Sequence, residues 1–210
     1  MAELEQELKT ALEELRKTEQ RKFNQTVDLI INLQKFNVKK TPINLFINVP
    51  HKIKDKKIAG FLESKNKNVD TITGEEFKNY NNKKELKKLS KKYDFFIAQA
   101  SLMPKVASVF GKFLGPTGKM PSPQLGIILN ADDKTINEIK EKINNSLKIR
   151  LKEASIKVPI GKQDMKDENI IENVSYVYKE LMKVLPKNKE NIRNIELKFT
   201  MTKPVKIKLR

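Results

Sequence analysis

The residues best suited to ligand chemistry in this chain form the segment RKFNQTVD at positions 21–28. Two cations precede an aromatic side chain, and short polar side chains then lead into a predicted strand. Lys22 is suited to a phosphate, and Phe23 to packing on a sugar or base. Thr26 and Asp28 would share one face of the strand, where their oxygens can hydrogen-bond ribose hydroxyls or base edges. The alternative is a helix-to-strand turn with Phe23 in the core.

A second candidate is the segment FTMTKP at positions 199–204, a hydroxyl-rich tight turn between two predicted strands. Thr200, Thr202 and Lys203 supply groups that can contact a polar, anionic ligand. Met201 is unusual in an exposed turn, and its side chain could lie flat on a ribose. The alternative is a plain β-hairpin. Three more cations follow, at Lys206, Lys208 and Arg210.

The segment FGKFLGPTGKMP at positions 110–121 resembles a phosphate-binding loop only superficially. A P-loop has four residues between its glycines and a Ser or Thr after its lysine. Here Gly111 and Gly118 are too far apart, and Met120 follows the lysine. The acidic pair at 132–133 is suited to a helix N-terminus rather than to a metal. We therefore expect no cofactor and no metal, and the chain lacks GxSxG and HExxH motifs.

The charge of the chain predicts a polyanionic partner. There are 43 Lys+Arg against 26 Asp+Glu, which gives a formal net charge of +17. The first 20 residues are acidic, so the positive excess lies in the remainder of the chain. Nucleic acid is the first partner of this kind to consider. The other interpretation is a lysine-rich solvated surface.

The composition also excludes several classes of protein. With no Cys there is no disulfide, no thiolate nucleophile and no Cys-based zinc site, and a single His excludes a His-rich metal site. No apolar run reaches the roughly 18 residues of a membrane-spanning helix. The acidic N-terminus is unlike a secretory signal. We expect a soluble, cytoplasmic protein without a membrane partner.

Hydrophobic periodicity predicts the elements that would position these groups. Leu4, Leu8, Leu12 and Leu15 lie on one face of a helix over 2–20. Strands are predicted at 25–34, 43–49, 58–62, 71–73, 94–98, 127–129, 147–151, 154–160, 195–199 and 205–209. Further helices are predicted at 83–92, 102–110, 133–146 and 167–185, and the Gly/Pro-rich stretch 111–124 is predicted to be an ordered loop.

The order of these elements predicts an α/β (α+β) protein with two domains. Strands alternate with helices over 57–152, which favours a small α/β domain with a partly parallel sheet. Neither end of the chain has enough strands for a sheet of its own. The economical solution is one split domain, 1–56 with 153–210, into which 57–152 is inserted through two crossing strands.

These segments together resemble the large-subunit ribosomal protein L-one family, whose members form the mobile stalk beside the tRNA exit site. The resemblance covers essentially the whole chain, and the GKMP form is similar to archaeal members. It implies a split α/β domain holding both termini and an inserted Rossmann-like domain. The motifs that carry it are LGPTGKMPSP at 114–123, RKFNQTVDL at 21–29, FTMTKP at 199–204 and VPIGKQDMKDENIIENV at 158–174.

The resemblance implies that the split domain binds the stalk rRNA. The family's RNA-contacting residues in the first motif correspond here to Lys22, Phe23, Thr26 and Asp28. In the turn they correspond to Thr200 and Met201, followed by Thr202 and Lys203. Two positions depart from the family pattern. Thr202 replaces a glycine, which permits close backbone approach and positive φ, and Thr117 replaces a basic residue.

The resemblance implies further partners as well. These are exit-site tRNA, whose release after deacylation the protein would aid, and its own mRNA, whose translation it would repress. It also implies a structural role without enzymatic activity, and a monomer outside the ribosome. The alternative is an RNA-dependent enzyme or NTPase that uses the inserted domain, which requires bound nucleotide or turnover at the Gly/Pro-rich loop.

Overall fold

A computed structural model describes residues 2–18, 21–38, 41, 43–80, 82–151 and 153–207 of the chain. The last residues of the predicted first helix, 19–20, and the cations Lys208 and Arg210 lie outside that range. The helices are α1 (Ala2–Arg16), α2 (Lys83–Lys92), α3 (Met103–Thr117), α4 (Asp133–Asn145) and α5 (Asp167–Val184). In this part of the chain, every helix is too short or too polar to cross a lipid bilayer.

The strands are β1 (Thr26–Leu33), β2 (Asn44–Asn48), β3 (Ile58–Phe61), β4 (Asp70–Ile72), β5 (Phe95–Gln99), β6 (Ile127–Ile128), β7 (Ser146–Arg150), β8 (Ser155–Lys162), β9 (Ile192–Phe199) and β10 (Val205–Ile207). The mixture of strands and helices confirms the predicted α/β class. Two compact units divide the chain: the split unit, 1–54 with 145–210, and the inserted unit, 55–144.

The split unit is built on a four-stranded antiparallel sheet in the order β10-β9-β1-β8. Alternate residues of β1 are buried, as the period of two in its sequence predicts. Helices α1 and α5 pack on this buried face with their apolar stripes, which include Leu8, Leu12, Val174 and Leu181. The opposite face of β1 carries Thr26, Asp28, Ile30 and Asn32, which are partly exposed.

A second, two-stranded sheet pairs β2 with β7. The predicted strand at 147–151 therefore belongs to the split unit rather than to the inserted one. Ile47 and Leu147 face each other in this pair, and both are buried in the core of the split unit together with Ile149. The alternation at 146–150 predicts a strand, but nothing local to it specifies β2, about a hundred positions away, as its partner.

The inserted unit has a wholly parallel sheet in the order β4-β3-β5-β6. All four residues of β3 are buried, as expected for a strand covered on both faces. Its core contains a cluster of aromatic rings with centroids 4.8–5.7 Å apart, contributed by Phe61, Phe77, Phe96 and Phe110. This is the alternating α/β architecture predicted for the middle of the chain.

The predicted loop at 111–124 is wrong over its first half, because α3 continues to Thr117. Buried Phe110 and Leu114 hold this stretch of helix against the core. Pro116 lies in the last turn, where its missing N–H removes one helical hydrogen bond, and the helix ends one residue later. Gly118 then adopts a left-handed conformation, φ 71°, and the Lys119 N–H bonds the Leu114 carbonyl at 2.9 Å. That pattern is a glycine C-cap.

Asn173 holds the chain beyond β2 against α5 and β8. Its side chain is fully buried. The amide oxygen accepts the His51 N–H at 3.0 Å, and the amide nitrogen donates to the carbonyls of His51 and Ile160, each at 3.0 Å. Three backbone groups therefore rely on one side chain that lies among the apolar positions of a helix.

We expect Asn173→Ala to lower the free energy of unfolding by about 2–5 kcal/mol, because buried backbone groups lose their partners. Ser175→Ala is the matched control. Ser175 is a buried neighbour on the same helix, and its hydroxyl oxygen has no hydrogen-bond partner among the described residues. Urea denaturation of both variants measures the difference. Equal losses would contradict the role of the Asn173 bonds.

Candidate nucleic-acid interface

The two sequence motifs meet where β1 begins and β9 ends, at one end of the two central strands of the split unit's sheet. Val27 of β1 pairs with Phe199 of β9, so the turn after β9 lies beside the start of β1. The Thr200 hydroxyl oxygen accepts the Thr26 N–H at 3.1 Å and lies 3.4 Å from the Thr26 carbonyl, to which it donates. Residues 174 positions apart are thus bonded directly.

Gln25 also holds the turn in place, through a hydrogen bond to Met201. Its side chain is 1% exposed, and its Oε1 accepts the Met201 N–H at 3.1 Å. Its backbone carbonyl accepts the Gln163 N–H at 2.8 Å. Gln25 is not among the site residues predicted from the sequence. The available signal was its position, because it continues the inward-facing alternation of Val27 and Leu29, where a polar residue needs a buried partner.

Two large apolar side chains in these motifs are exposed. Phe23 is 51% exposed and Met201 is 63% exposed. The interpretation that placed Phe23 in the core is therefore wrong. Lys22, which precedes Phe23, and Lys203, which follows the turn, are exposed as well. The segment offers cationic and flat apolar groups together, which suits phosphates, sugars and bases.

Thr202 shapes the turn rather than replacing a strained glycine. Its hydroxyl oxygen accepts the Phe199 N–H at 2.9 Å, and its own N–H donates to the Phe199 carbonyl at 3.2 Å. The described non-glycine residues with positive φ are Lys35 and Asn188, so Thr202 has an ordinary backbone conformation. The segment is a β-hairpin that leaves Met201 at its exposed tip.

Asp28 lies on the open face of the sheet, paired across the strands with Lys198 of β9. Burial raises the pKa of the Asp28 carboxyl, and the positive charge of Lys198 only partly offsets this. The ionised carboxylate is thus less stable here than in water. A donor such as a ribose hydroxyl would give it a hydrogen bond that no described residue of the protein supplies.

Other cations extend this open face. Lys157 of β8 lies across from Ile30, and Lys206 of β10 lies across from Glu196. Both lysines are exposed. A cleft of about 480 Å³ adjoins the turn, between the end of α1 and the start of β10. Its lining includes Arg21, Gln25, Met201, Thr202 and Lys203.

Arg16 fixes the end of α1 that leads into the first motif. Its guanidinium bonds Asp167 Oδ1 at 2.6 and 2.9 Å, and it donates to the carbonyls of Gln163 and Met165. The Gln163 N–H bonds Gln25 in turn. This link was not predictable, because a lone arginine in an amphipathic helix gives no sign of its partners.

The structure thus brings together Thr26, Asp28, Thr200, Met201 and Thr202 on adjoining backbone. Lys22 and Phe23 lie on the exposed approach to β1, and Lys203 lies on the exit from the turn. We refer to these eight predicted residues as the strand–turn surface. In the described parts of the chain, no group of three His, Asp or Glu side chains could hold a metal ion. The strand–turn surface offers cationic, polar and apolar side chains that suit the binding of a polyanion.

Comparison with known proteins identifies a matching family and several similar proteins. Residues 15–203 match the ribosomal protein L1p/L10e family. The large ribosomal subunit protein uL1 of Nanoarchaeum equitans is 36% identical over 203 residues, covering 91% of this chain and 95% of that protein. The same protein of Pyrobaculum calidifontis is 38% identical, covering 96% and 92%. That of Thermococcus kodakarensis is 34% identical, covering 89% of each.

We expect Thr202→Gly to destabilise the split unit by about 1–2 kcal/mol, because the Phe199 N–H loses its side-chain acceptor and glycine adds freedom to the unfolded chain. Thr202→Ser keeps the hydroxyl and should stay close to the parent. Urea denaturation gives the free energies, and amide hydrogen exchange at Phe199 locates the change. Equal stability of the Gly and Ser variants would show that the hydroxyl contributes nothing.

We expect Asp28→Asn to raise the melting temperature at neutral pH. The folded-state pKa of Asp28 is raised, so its ionisation disfavours the folded state, and this cost disappears as the pH falls through that pKa. The advantage of the Asn variant should therefore shrink on acidification. Thermal melts of both proteins across the acidic range measure it. A lower melting temperature at neutral pH would mean that pairing with Lys198 outweighs burial.

Proposed function

We propose a specific RNA contact for this chain on the premise that it belongs to the ribosomal protein L1p/L10e family. The resemblance drawn from its motifs is confirmed, as is its archaeal type. The relatives are named as proteins of the large ribosomal subunit. The chain is accordingly a structural constituent of that subunit in the cytoplasm. The alternative of an RNA-dependent enzyme falls, since such ribosomal proteins are not enzymes.

The proposed contact is between the strand–turn surface and the rRNA of the large-subunit stalk. The observation that supports it is the pair of bonds between the Thr200 hydroxyl and the backbone of Thr26. These bonds join two motifs from opposite ends of the chain into one surface with exposed cations, hydroxyls and apolar groups. The split unit would thus be the RNA-binding domain, as predicted for 1–56 with 153–210.

The residues of the surface have different roles in this proposal. Lys22 and Lys203 bind phosphates. Phe23 and Met201 pack on a base or ribose, because both are exposed in the free protein. Thr26 and Asp28 hydrogen-bond ribose hydroxyls.

The two threonines of the turn have an indirect role. Thr200 and Thr202 use their hydroxyls within the protein. They position Met201 and the start of β1 against the RNA.

Two further partners follow from the family resemblance alone. The protein's own mRNA would carry a copy of the rRNA site, so it would compete with the stalk for the same surface, and binding would repress its translation. Exit-site tRNA would be bound on the assembled subunit, where the chain would aid its release. Outside the ribosome we propose a monomer.

We expect three variants of the full chain to separate the roles at the strand–turn surface. Phe23→Ala should weaken binding to a stalk rRNA fragment by about 1–3 kcal/mol, roughly 5–150-fold, through lost stacking. Thr26→Val should have a similar effect through a lost hydrogen bond. Neither should alter the dependence of the dissociation constant on salt. Lys22→Ala should reduce that salt slope by up to about one unit.

The measurement is the dissociation constant at several salt concentrations, after thermal melts confirm the fold. Leu129→Ala is the matched control for Phe23, because Leu129 is an equally apolar, exposed residue of the inserted unit. Lys189→Ala, an exposed lysine of the split unit outside the surface, is the control for Lys22. If the site variants bind like their controls, the strand–turn surface is not the rRNA site.

A further inference from the structure

The inserted unit carries a lysine-rich helix that the proposed function does not use. Helix α2 buries Leu86 and Leu89 and has a single acidic residue, Glu85. Its other side is exposed. That side carries Lys83, Lys84, Lys87, Lys88, Lys91 and Lys92.

Several features of this sequence destabilise helix α2. Lys83 and Lys84 occupy the first turn, where the helix dipole disfavours positive charge. The preceding residue, Asn82, makes no side-chain capping bond. Like charges four positions apart also destabilise a helix. Such pairs occur at 83–87, 84–88, 87–91 and 88–92.

Among the described residues, carboxylates lie close to only two of these six lysines. Lys88 lies 3.3 Å from Glu85, and Lys92 lies 3.9 Å from Asp70. Three lysines lie opposite the buried leucines and make no ion pair with any described residue. We call them the lysine stripe: Lys84, Lys87 and Lys91.

Capping of the helix does not explain the stripe either. The Lys119 ammonium donates to the carbonyls of Ser90 and Tyr93 at 2.7 and 2.8 Å. The C-terminal end of α2 therefore already has a cationic partner from another segment. No carboxylate of the described residues neutralises these three lysines, and such unbalanced charge indicates a site whose negative charge comes from an external partner.

We propose that the lysine stripe binds the phosphate backbone of RNA, without regard to base sequence and separately from the strand–turn surface. Closely spaced phosphates supply the negative charge that offsets the repulsion along α2. Lysines act as mobile point charges, which suits a backbone of variable geometry. Helix α2 has no aromatic residue to read bases. The chain therefore holds two RNA segments, one recognised specifically and one by charge.

The test uses an RNA duplex of arbitrary sequence and the full chain with Lys84, Lys87 and Lys91 all changed to Gln. The stripe variant should bind this duplex more weakly, with the salt slope reduced by about one unit for each phosphate that is no longer neutralised. Its melting temperature should rise by about 1–4 °C, since repulsion is removed. A second variant with Arg at the three positions should retain binding.

The matched control removes the same charge elsewhere in the inserted unit, by changing Lys67, Lys134 and Lys142 to Gln. These lysines are exposed. Lys134 and Lys142 lie four positions from Glu138 on α4, so their loss should not stabilise the protein. The duplex lacks the stalk sequence, and the result therefore does not depend on the specific contacts of the strand–turn surface.

The proposal holds if the stripe variant loses more affinity and more salt slope than the control while it becomes more thermostable. Equal losses in both variants would mean that only total charge matters, and the stripe is no site. Unchanged duplex binding would show a merely solvated helix. Loss of binding to a polyglutamate peptide with RNA binding intact would assign the stripe to an acidic protein instead. Each of these last three results overturns the proposal.

Discussion

The split unit depends on the position of a single strand. β1 is hydrogen-bonded on both sides, to β8 and β9, and both neighbours come from the last third of the chain. Its apolar residues share one core with those of α1 and α5, which pack on this side of the sheet. Its other face stays open, as antiparallel sheets allow. The pairing of β1 with β9 also places the turn at 200–203 beside the start of β1. The same strand pairing therefore forms both the core and the candidate binding surface.

The strand–turn surface and helix α2 both contain groups that lower the stability of the protein when no ligand is bound. Phe23 and Met201 expose apolar area, burial raises the pKa of Asp28, and the lysines of α2 repel one another. Elsewhere the chain follows local rules closely, with buried alternation in β1 and complete bonding around Asn173. RNA bound at these surfaces, as proposed, would offset such groups, because phosphates supply negative charge and bases cover exposed apolar area.

Much of this arrangement could be predicted from the sequence, because local periodicity records which side of an element is buried. The alternation in β1 and the leucine repeat in α1 predicted both elements and their inward faces. Long-range partners were not predictable: β7 pairs with β2, and Gln25 and Arg16 find their partners far along the chain. Helix α3 extends past its glycines because buried Leu114 outweighs their local preference.

The inserted unit is one continuous stretch, whereas the split unit is not. On a translating ribosome the parallel sheet of 55–144 can therefore close before the last strands of the other unit have been made. During that interval β1 has neither neighbour, and the part of the core contributed by α5, β8 and β9 is still missing. This connectivity favours folding of the inserted unit first, with β1 among the last strands to gain its partners.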